Sequence, residues 1–237
     1  MSAPGPAISV VIPVHDEEEN LARLHAEVSA ALEKLPPAEI IFVDDGSRDG
    51  SLARMRALAT RDPRVRVLAL EGNHGQTAAL DAGFKAVAGD ITVTLDADLQ
   101  NDPADIPRLV ALLDRADCVN GVRTARQDGF VRKLSSRIGN GFRNWATRED
   151  VTDVGCSLRA MRSVYLRRVK LFRGMHRFLP TLLRLEGARV VEVPVAHRPR
   201  HAGRSKYGIG NRLFVGLLDV LAVRWMQSRA LRYRVRD

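Results

Sequence analysis

The stretch DITVTLDADLQNDP, residues 90–103, decides the fold. Its apolar run ITVTL has strand length and closes on three carboxylates, Asp96, Asp98 and Asp102. A strand that is apolar throughout belongs to a sheet covered on both faces. Carboxylates crowded at such a strand end repel one another unless a positive charge lies between them. The question set by the sequence is what that charge is and what it holds.

Working outward, the same pattern recurs. ISVVIP (8–13), EIIFVD (39–44), VRVLAL (65–70) and CVNGV (118–122) read as strands, and helical patterns fall near 17–34, 49–60, 75–88 and 104–115. This β-α-β-α order predicts an α/β fold with a mainly parallel central sheet and helices on both faces. Ligands of such sheets bind beyond the carboxyl ends of the strands. The polar clusters PVHDEEEN, DDGSRDGS, EGNHGQTAA and DADLQNDP all lie there, so four strand ends are expected to share one mouth. The second half predicts a basic helix near 130–146, a strand at 157–161, a helix at 175–186, a strand at 188–197, a basic loop at 198–208 and a final helix at about 209–228. With no repeat, low-complexity tract or Pro/Gly-rich linker, the 237 residues read as one catalytic domain.

Composition narrows the function classes. Residues 1–122 hold 11 Lys and Arg against 20 Asp and Glu, a balance of −9, whereas residues 123–237 hold 26 against 8, a balance of +18. The basic half suits phosphorylated substrates, an anionic membrane face or nucleic acid. Aromatics make up only 5% and do not interleave with the arginines, which disfavours nucleic acid. Two cysteines without CxxC spacing indicate neither a disulfide framework nor a zinc site, and a reducing compartment fits. MSAPGPAISVV lacks the pattern of a secretory signal, so the chain is expected to start here and stay inside the cell. LFVGLLDVLAV (213–223), interrupted by Asp219, falls short of the roughly 20 residues that cross a bilayer. Trp225 and the flanking arginines suit an interfacial helix, and a helix packed on the sheet is the equal alternative.

Read alone, DDGSRDGS (44–51) is a turn and a helix start, with Asp49 or Ser51 as N-cap. Two adjacent acids exceed what a turn needs, and Asp44 and Asp45 suit a base N–H or a ribose hydroxyl. Neither GxGxxG after a strand nor GxxxxGK[ST] occurs, so a bound nucleotide would be handled by carboxylates and a metal. Asp96, Asp98 and the amide of Gln100 form an oxygen-rich set at alternate positions that suits Mg²⁺ or Mn²⁺. Asp102, followed by Pro103, reads instead as a helix N-cap.

VVIPVHDEEENL, IIFVDDGSRDGS, GNHGQTAALDAGFKAVAGD, VTLDADLQNDP and GRSKY, in that order, resemble a family 2 glycosyltransferase of the GT-A fold. More narrowly they resemble the polyprenyl (dolichyl) phosphate sugar transferases of the dolichyl-phosphate mannosyltransferase kind, from about residue 7 to 212. The resemblance implies that Pro13, Glu17, Asp44 or Asp45, and Gln76 line the nucleotide-sugar site, and that Asp96, Asp98 and Gln100 hold the metal on the donor diphosphate. It implies that Arg123, Arg132, Ser136 and Arg137 grip the acceptor lipid phosphate, and that Arg200, Ser205 and Lys206 close over the phosphates. Residues 1–122 are then the nucleotide-sugar and metal half, 123–212 the acceptor half, and 209–237 an interfacial helix with a basic tail. The implied reaction is inverting transfer from GDP-mannose, or secondarily UDP-glucose, to a polyprenyl phosphate. The implied location is the cytoplasmic face of a membrane, reached through the last helix or a membrane-protein partner subunit, since no membrane-spanning helix of the kind many relatives carry follows.

Two rivals stand beside this reading. Asp153 occupies a position where related enzymes place the general base for a sugar hydroxyl, so a hydroxyl acceptor is the competing reaction. The non-enzymatic rival is a basic membrane- or RNA-binding module on a transferase shell.

Overall fold

The computed structural model describes residues 5–123, 141, 143–148, 150–199 and 212–231. The chain forms two compact units, one from Met1–Arg126 with Asp153–Arg204, the other from Gln127–Thr152 with Ser205–Asp237.

The first unit holds the sheet. Its strands are β1 (Ile8–Val14), β2 (Ala38–Asp44), β3 (Val65–Ala69), β4 (Ile91–Thr94), β5 (Cys118–Arg123), β6 (Arg159–Arg162) and β7 (Val190–Val195). Its helices are α1 (Glu18–Leu32), α2 (Ser51–Arg61), α3 (Gln76–Ala86), α4 (Ile106–Ala111), α5 (Ser163–Leu166) and α6 (Leu179–Leu185). The strands lie in the order β3-β2-β1-β4-β6-β5-β7, with β6 antiparallel to both neighbours and the other pairings parallel. The mainly parallel α/β sheet expected from the sequence is present.

Alternation along β1 shows why both faces are covered. Ile8, Val10, Ile12 and Val14 pack with Leu21, Leu24 and Val28 of α1, Met55 of α2 and Ile106 and Leu109 of α4. Val11, pointing the other way, packs with Ile41 and Val43 of β2, Ala79, Leu80 and Phe84 of α3, and Leu179 and Leu183 of α6. Successive side chains thus serve two separate cores, which is why the strand reads as an unbroken apolar run. Cys118 and Cys156 are buried free thiols, one in each core, and burial pushes their pKa values up to about 12 and about 11.

The chain runs from β1 outward through β2 and β3, then returns across β1 to β4. That reversal opens a crevice at the carboxyl ends of β1 and β4, where doubly wound sheets receive ligands. β1 and β4 are in register from Ile8↔Ile91 to Val11↔Thr94, so the carboxylate-bearing segment after Thr94 leaves the sheet beside the end of β1.

Three expected elements differ in detail. The helix expected at 104–115 is a 3₁₀ turn (Pro103–Asp105), a short α4 and a second 3₁₀ turn (Leu112–Asp114). Pro107 has no N–H for the carbonyl of Pro103, so the helix restarts at that point. The helix expected at 175–186 is likewise a 3₁₀ turn (Met175–Phe178) before α6, which opens with Pro180 near its start. α2 has Gly50 rather than Asp49 or Ser51 at its N-cap, and Asp49 accepts the Ser51 N–H from one residue further out. The helix α5 is an addition that the sequence pattern did not suggest.

In the second unit, residues 143–147 are helical and α7 (Arg212–Arg229) is the long element. Val220 and Val223 of α7 are buried, while Leu217, Leu218, Leu221 and Trp225 are 41%, 49%, 53% and 64% exposed.

α3 approaches the sheet through Gly83, where a Cβ would overlap Cγ1 of Val11 and stand 3.2 Å from Cγ2 of Val43. Both neighbours are β-branched core side chains with little room to yield. Gly83→Val is expected to destabilise the protein by about 1–3 kcal/mol, read as a lower midpoint in urea unfolding followed by circular dichroism. An unchanged midpoint would show that α3 does not rest on this contact.

Candidate active site

The loops after β1 and β2 are locked together by their own acids. Asp16 accepts from the N–H of Arg48 at 2.6 Å, and Glu18 from that of Gly50 at 2.9 Å. Ser47 and Ser51 in turn accept the N–H groups of Asp16 and Glu17. Glu17 accepts from the Asn20 amide at 2.6 Å and stands half-buried at the start of α1, while Pro13 lies half-buried in β1 opposite Val43. Most of this acidic motif is therefore a backbone clamp. Gly46, with φ +67°, fits where a Cβ would collide with the Gly72 backbone, which lets the β2 turn lie against the loop after β3.

The sequence left Asp44 and Asp45 as alternatives, and the structure separates them. Asp45 accepts from the N–H groups of His74 at 2.7 Å and Gly75 at 2.9 Å and so shapes the turn leading into α3. Asp44, 2% exposed, accepts from Ser47 N–H through Oδ2 at 3.3 Å, but its buried Oδ1 has no hydrogen-bond partner among the described residues. A buried carboxylate oxygen without a partner is costly. A ligand N–H or hydroxyl would satisfy it, whereas both Asp45 oxygens already accept from backbone N–H groups.

At the end of β4, Asp96 is half-buried and accepts from the Gln76 amide at 2.7 Å. Gln76 is the first residue of α3, so the helix start and the acidic loop meet as the sequence reading required. Burial, then the neighbouring Asp98 charge, push the Asp96 pKa up to about 6, opposed by a hydrogen bond from Ser157 and by the Arg159 and Arg123 charges. Asp98 is buried and accepts the Gln100 N–H at 3.1 Å. Leu99 between them has φ +60°, a left-handed conformation that costs a β-carbon-bearing residue about 1 kcal/mol or more. The turn is held by Ser157, whose Oγ accepts from Asp96 N–H at 3.1 Å and from the Asn101 amide at 2.7 Å. Arg198 adds ion pairs at 2.6 Å to both Glu27 and Asp102, while its N–H donates to the Gln100 carbonyl. Asp102 accepts the Ala104 N–H as N-cap, the role expected of it.

Two carboxylates and an amide oxygen are a sufficient donor set for Mg²⁺ or Mn²⁺, which keep waters and phosphate oxygens in their shells.

Two arginines lie behind this cluster. Arg123, at the end of β5, pairs bidentately with Asp153, Nε to Oδ2 at 2.7 Å and Nη2 to Oδ1 at 2.8 Å. Asp153 also accepts the N–H groups of Arg123 and Gly155, and despite its burial the Arg123 guanidinium holds its pKa below the usual carboxylate range. Two of the three guanidinium nitrogens of Arg123 are thereby committed inside the protein. Arg159, 3% exposed on β6, donates to Asn120 Oδ1 at 2.7 Å and to the carbonyls of Val154 and His176. It pairs across the sheet with Thr94, two positions before Asp96. Ser157 and Arg159 were missed in the sequence, where SLRAM reads simply as a strand. Arg132, Ser136, Arg137, Arg200, Ser205 and Lys206 lie outside the described residues.

Residues 9–169 match the model of glycosyl transferase family 2. The chain belongs to that family. Among curated relatives, this glycosyltransferase is 42% identical to the undecaprenyl-phosphate 4-deoxy-4-formamido-L-arabinose transferase of Edwardsiella ictaluri over 85% of its own length and 63% of the relative's. It is 39% identical to the dodecaprenyl-phosphate galacturonate synthase of Rhizobium johnstonii over 97% of its length and 68% of that protein. It thus spans less than two thirds of the arabinose transferase. Among solved structures, the glucosyl-3-phosphoglycerate synthase of Mycobacterium tuberculosis with Mn²⁺, UDP-glucose and phosphoglyceric acid superposes with a TM-score of 0.71. The identity there is 21%, over 96% of this chain and 82% of that one. At that identity the likeness establishes the GT-A fold.

The raised pKa of Asp96 has a stability consequence. With a folded value of about 6 against 3.8 unfolded, its contribution to folding is full below 3.8 and lost as the pH rises through about 6. Asp96→Asn is therefore expected to raise the Tm of the metal-free protein at pH 7.5, with the gain over wild type vanishing toward pH 4. The check is calorimetry across that range, and a variant less stable than wild type at pH 7.5 would contradict it.

Proposed function

We propose that this family 2 glycosyltransferase moves a sugar from a nucleotide sugar to a polyprenyl monophosphate with inversion at the anomeric carbon, using Mg²⁺ or Mn²⁺. The observation that carries the choice of acceptor is the Asp153–Arg123 pair. A sugar hydroxyl needs a general base near its own proton, and a carboxylate held low by a bidentate guanidinium is a poor one. A phosphate monoester, with a second pKa of about 6, is already anionic and needs no such base. The names of the two curated relatives agree with this acceptor, since each specifies a polyprenyl phosphate.

In this reading Asp44 receives the nucleoside, with Pro13 and Glu17 beside it, and Asp96, Asp98 and Gln100 hold the divalent ion on the donor diphosphate. When bound, the ion supplies Lewis-acid stabilisation of the leaving diphosphate. Gln76 fixes the Asp96 carboxylate on one side and Ser157 on the other. Arg132, Ser136, Arg137 and Ser205, with Arg123, gather the acceptor phosphate, while Arg200 and Lys206 offset the charge on the donor phosphates. An acceptor phosphate oxygen attacks the anomeric carbon from behind as the bond to the β-phosphate oxygen breaks. The nucleoside diphosphate leaves, and the sugar is joined to the lipid through a phosphodiester. The relatives carry formamido-arabinose and galacturonate rather than mannose or glucose, so the donor panel has to reach beyond GDP-mannose and UDP-glucose.

A lipid acceptor requires a membrane surface. Among the described residues no helix is long and apolar enough to cross a membrane. The exposed stripe of α7, Leu217, Leu218, Leu221 and Trp225, is suited to lie within the headgroup boundary, with Arg224 and Arg229 toward anionic lipid.

The direct test incubates the protein with Mn²⁺, a nucleotide-sugar panel and a short polyprenyl phosphate. A glycolipid product is expected with one donor, and Asp98→Ala should lower its formation by at least a hundredfold with the fold intact by circular dichroism. Full activity of Asp98→Ala would remove the metal role, and transfer to a sugar hydroxyl alone would replace the acceptor. For the membrane contact, Leu218→Asp with Leu221→Asp should weaken cosedimentation with vesicles containing phosphatidylglycerol by about tenfold or more. Unchanged sedimentation would assign the stripe elsewhere.

A further inference from the structure

The segment RGMHRF, residues 173–178, takes no part in the site described so far, yet it is built against it. Gly174 turns the chain with φ +85°, a left-handed value that favours glycine, and its N–H donates to Thr77 Oγ1 at 3.0 Å. His176, two residues on, places Nδ1 2.7 Å from the same Thr77 hydroxyl, and its carbonyl accepts from Arg159 Nη1. Thr77 follows Gln76, the residue bonded to Asp96, and Arg159 stands across the sheet from Thr94. Two routes, one through α3 and one through β6, therefore link His176 to residues that adjoin the Asp96 turn.

The hydrogen bonding accommodates one imidazole tautomer best. The Thr77 hydroxyl accepts from Gly174 and has one proton to give, and His176 Nδ1 is the acceptor within reach among the described residues. We assign Nδ1 as the unprotonated nitrogen and Nε2 as the one that carries the hydrogen, the arrangement in which the Thr77 proton is also used. Nε2–H has no protein partner among the described residues, and it is not among the side-chain atoms sealed from solvent without one. The ring is half-buried, and burial, then the Arg177 and Arg159 charges, bring its pKa down to about 3. His176 is therefore a neutral, oriented donor with one N–H to offer.

We infer that His176 is a donor-sugar contact: its Nε2–H hydrogen-bonds an oxygen of the sugar being transferred, with Thr77 as the positioning residue that fixes its tautomer. The inference rests on the nucleotide-sugar reading above and adds to it the group that recognises the sugar rather than the nucleotide. A neutral N–H suits an uncharged hydroxyl or carbonyl oxygen, whereas the diphosphate has the ion at Asp96 and Asp98 and the arginines. The transferred sugar hangs from that diphosphate, so a side chain tied to the neighbour of the Asp96-bonded Gln76, but outside the Asp96 hydrogen bonds, is a candidate to meet it.

The test is calorimetric titration of the full chain with Mn²⁺ and either UDP or GDP, then with UDP-glucose, UDP-galacturonate, the UDP-linked formamido-arabinose and GDP-mannose. For whichever donor wild type binds, His176→Phe, which fills similar space without an N–H, should weaken the nucleotide sugar about five- to tenfold and leave its nucleoside diphosphate unchanged. His176→Gln, with an amide N–H at similar reach, should recover part of the loss. Thr77→Val should show a smaller loss of the same kind, and Thr77→Ser should restore it. Equal weakening of nucleotide and nucleotide sugar, or no weakening in His176→Phe, would overturn the inference while leaving the proposed function standing. Failure of wild type to bind any nucleotide sugar would overturn that function and the inference with it.

Discussion

Two carboxylates of like charge at the end of a core strand set the terms for this molecule. Asp96 and Asp98 leave β4 where the sheet reverses direction, half-buried and buried respectively, and the turn just after them holds Leu99 in a left-handed conformation. Nothing in that arrangement favours folding. It persists because the surroundings hold it from several sides: Gln76 from α3, Ser157 from the segment before β6, Arg198 from beyond β7, and the Arg159 and Arg123 charges from behind. The cluster is only partly neutralised, and burial together with the Asp98 charge pushes the Asp96 pKa up to about 6.

The same logic separates residues that support the site from residues that face ligand. Asp16, Glu18 and Asp45 spend their oxygens on backbone N–H groups of neighbouring loops and so act as framework. Among the described residues, Asp44 Oδ1 and His176 Nε2 have no partner. Side chains of one acidic motif divide between these roles, and only the hydrogen-bond partners tell them apart.

Much of this was legible in the sequence because it depends on local rules. Apolar runs of strand length, helix-period segments between them and acid clusters at strand ends gave the sheet and its mouth, and Asp102 before Pro103 read correctly as a cap. The less visible part depends on residues far apart meeting. Asp153 and Arg123 are each legible as polar site residues, but their pairing, which turns an apparent base into a structural carboxylate, exists only once β5 and the segment before β6 come together. Arg159 sits inside what reads as an ordinary strand, and its burial follows from β6 running antiparallel in the middle of the sheet. Ser157 and His176 carry no motif of their own. A histidine beside Phe and Leu reads as core until Thr77, 99 positions away in sequence, is seen to hold it.

The Arg123–Asp153 pair also lies at the point where the chain departs from the sheet-bearing unit and returns to it. Residues 127–152 belong to the other unit, and the bidentate bridge joins the two strands of chain on either side of them. The ends of that excursion are held at a set separation by the sheet-bearing unit alone. Closing a longer or shorter excursion onto such a clasp changes the free energy only slowly with its length. The length of the segment between is therefore only a weak constraint on the sheet-bearing unit, which supplies both halves of the clasp.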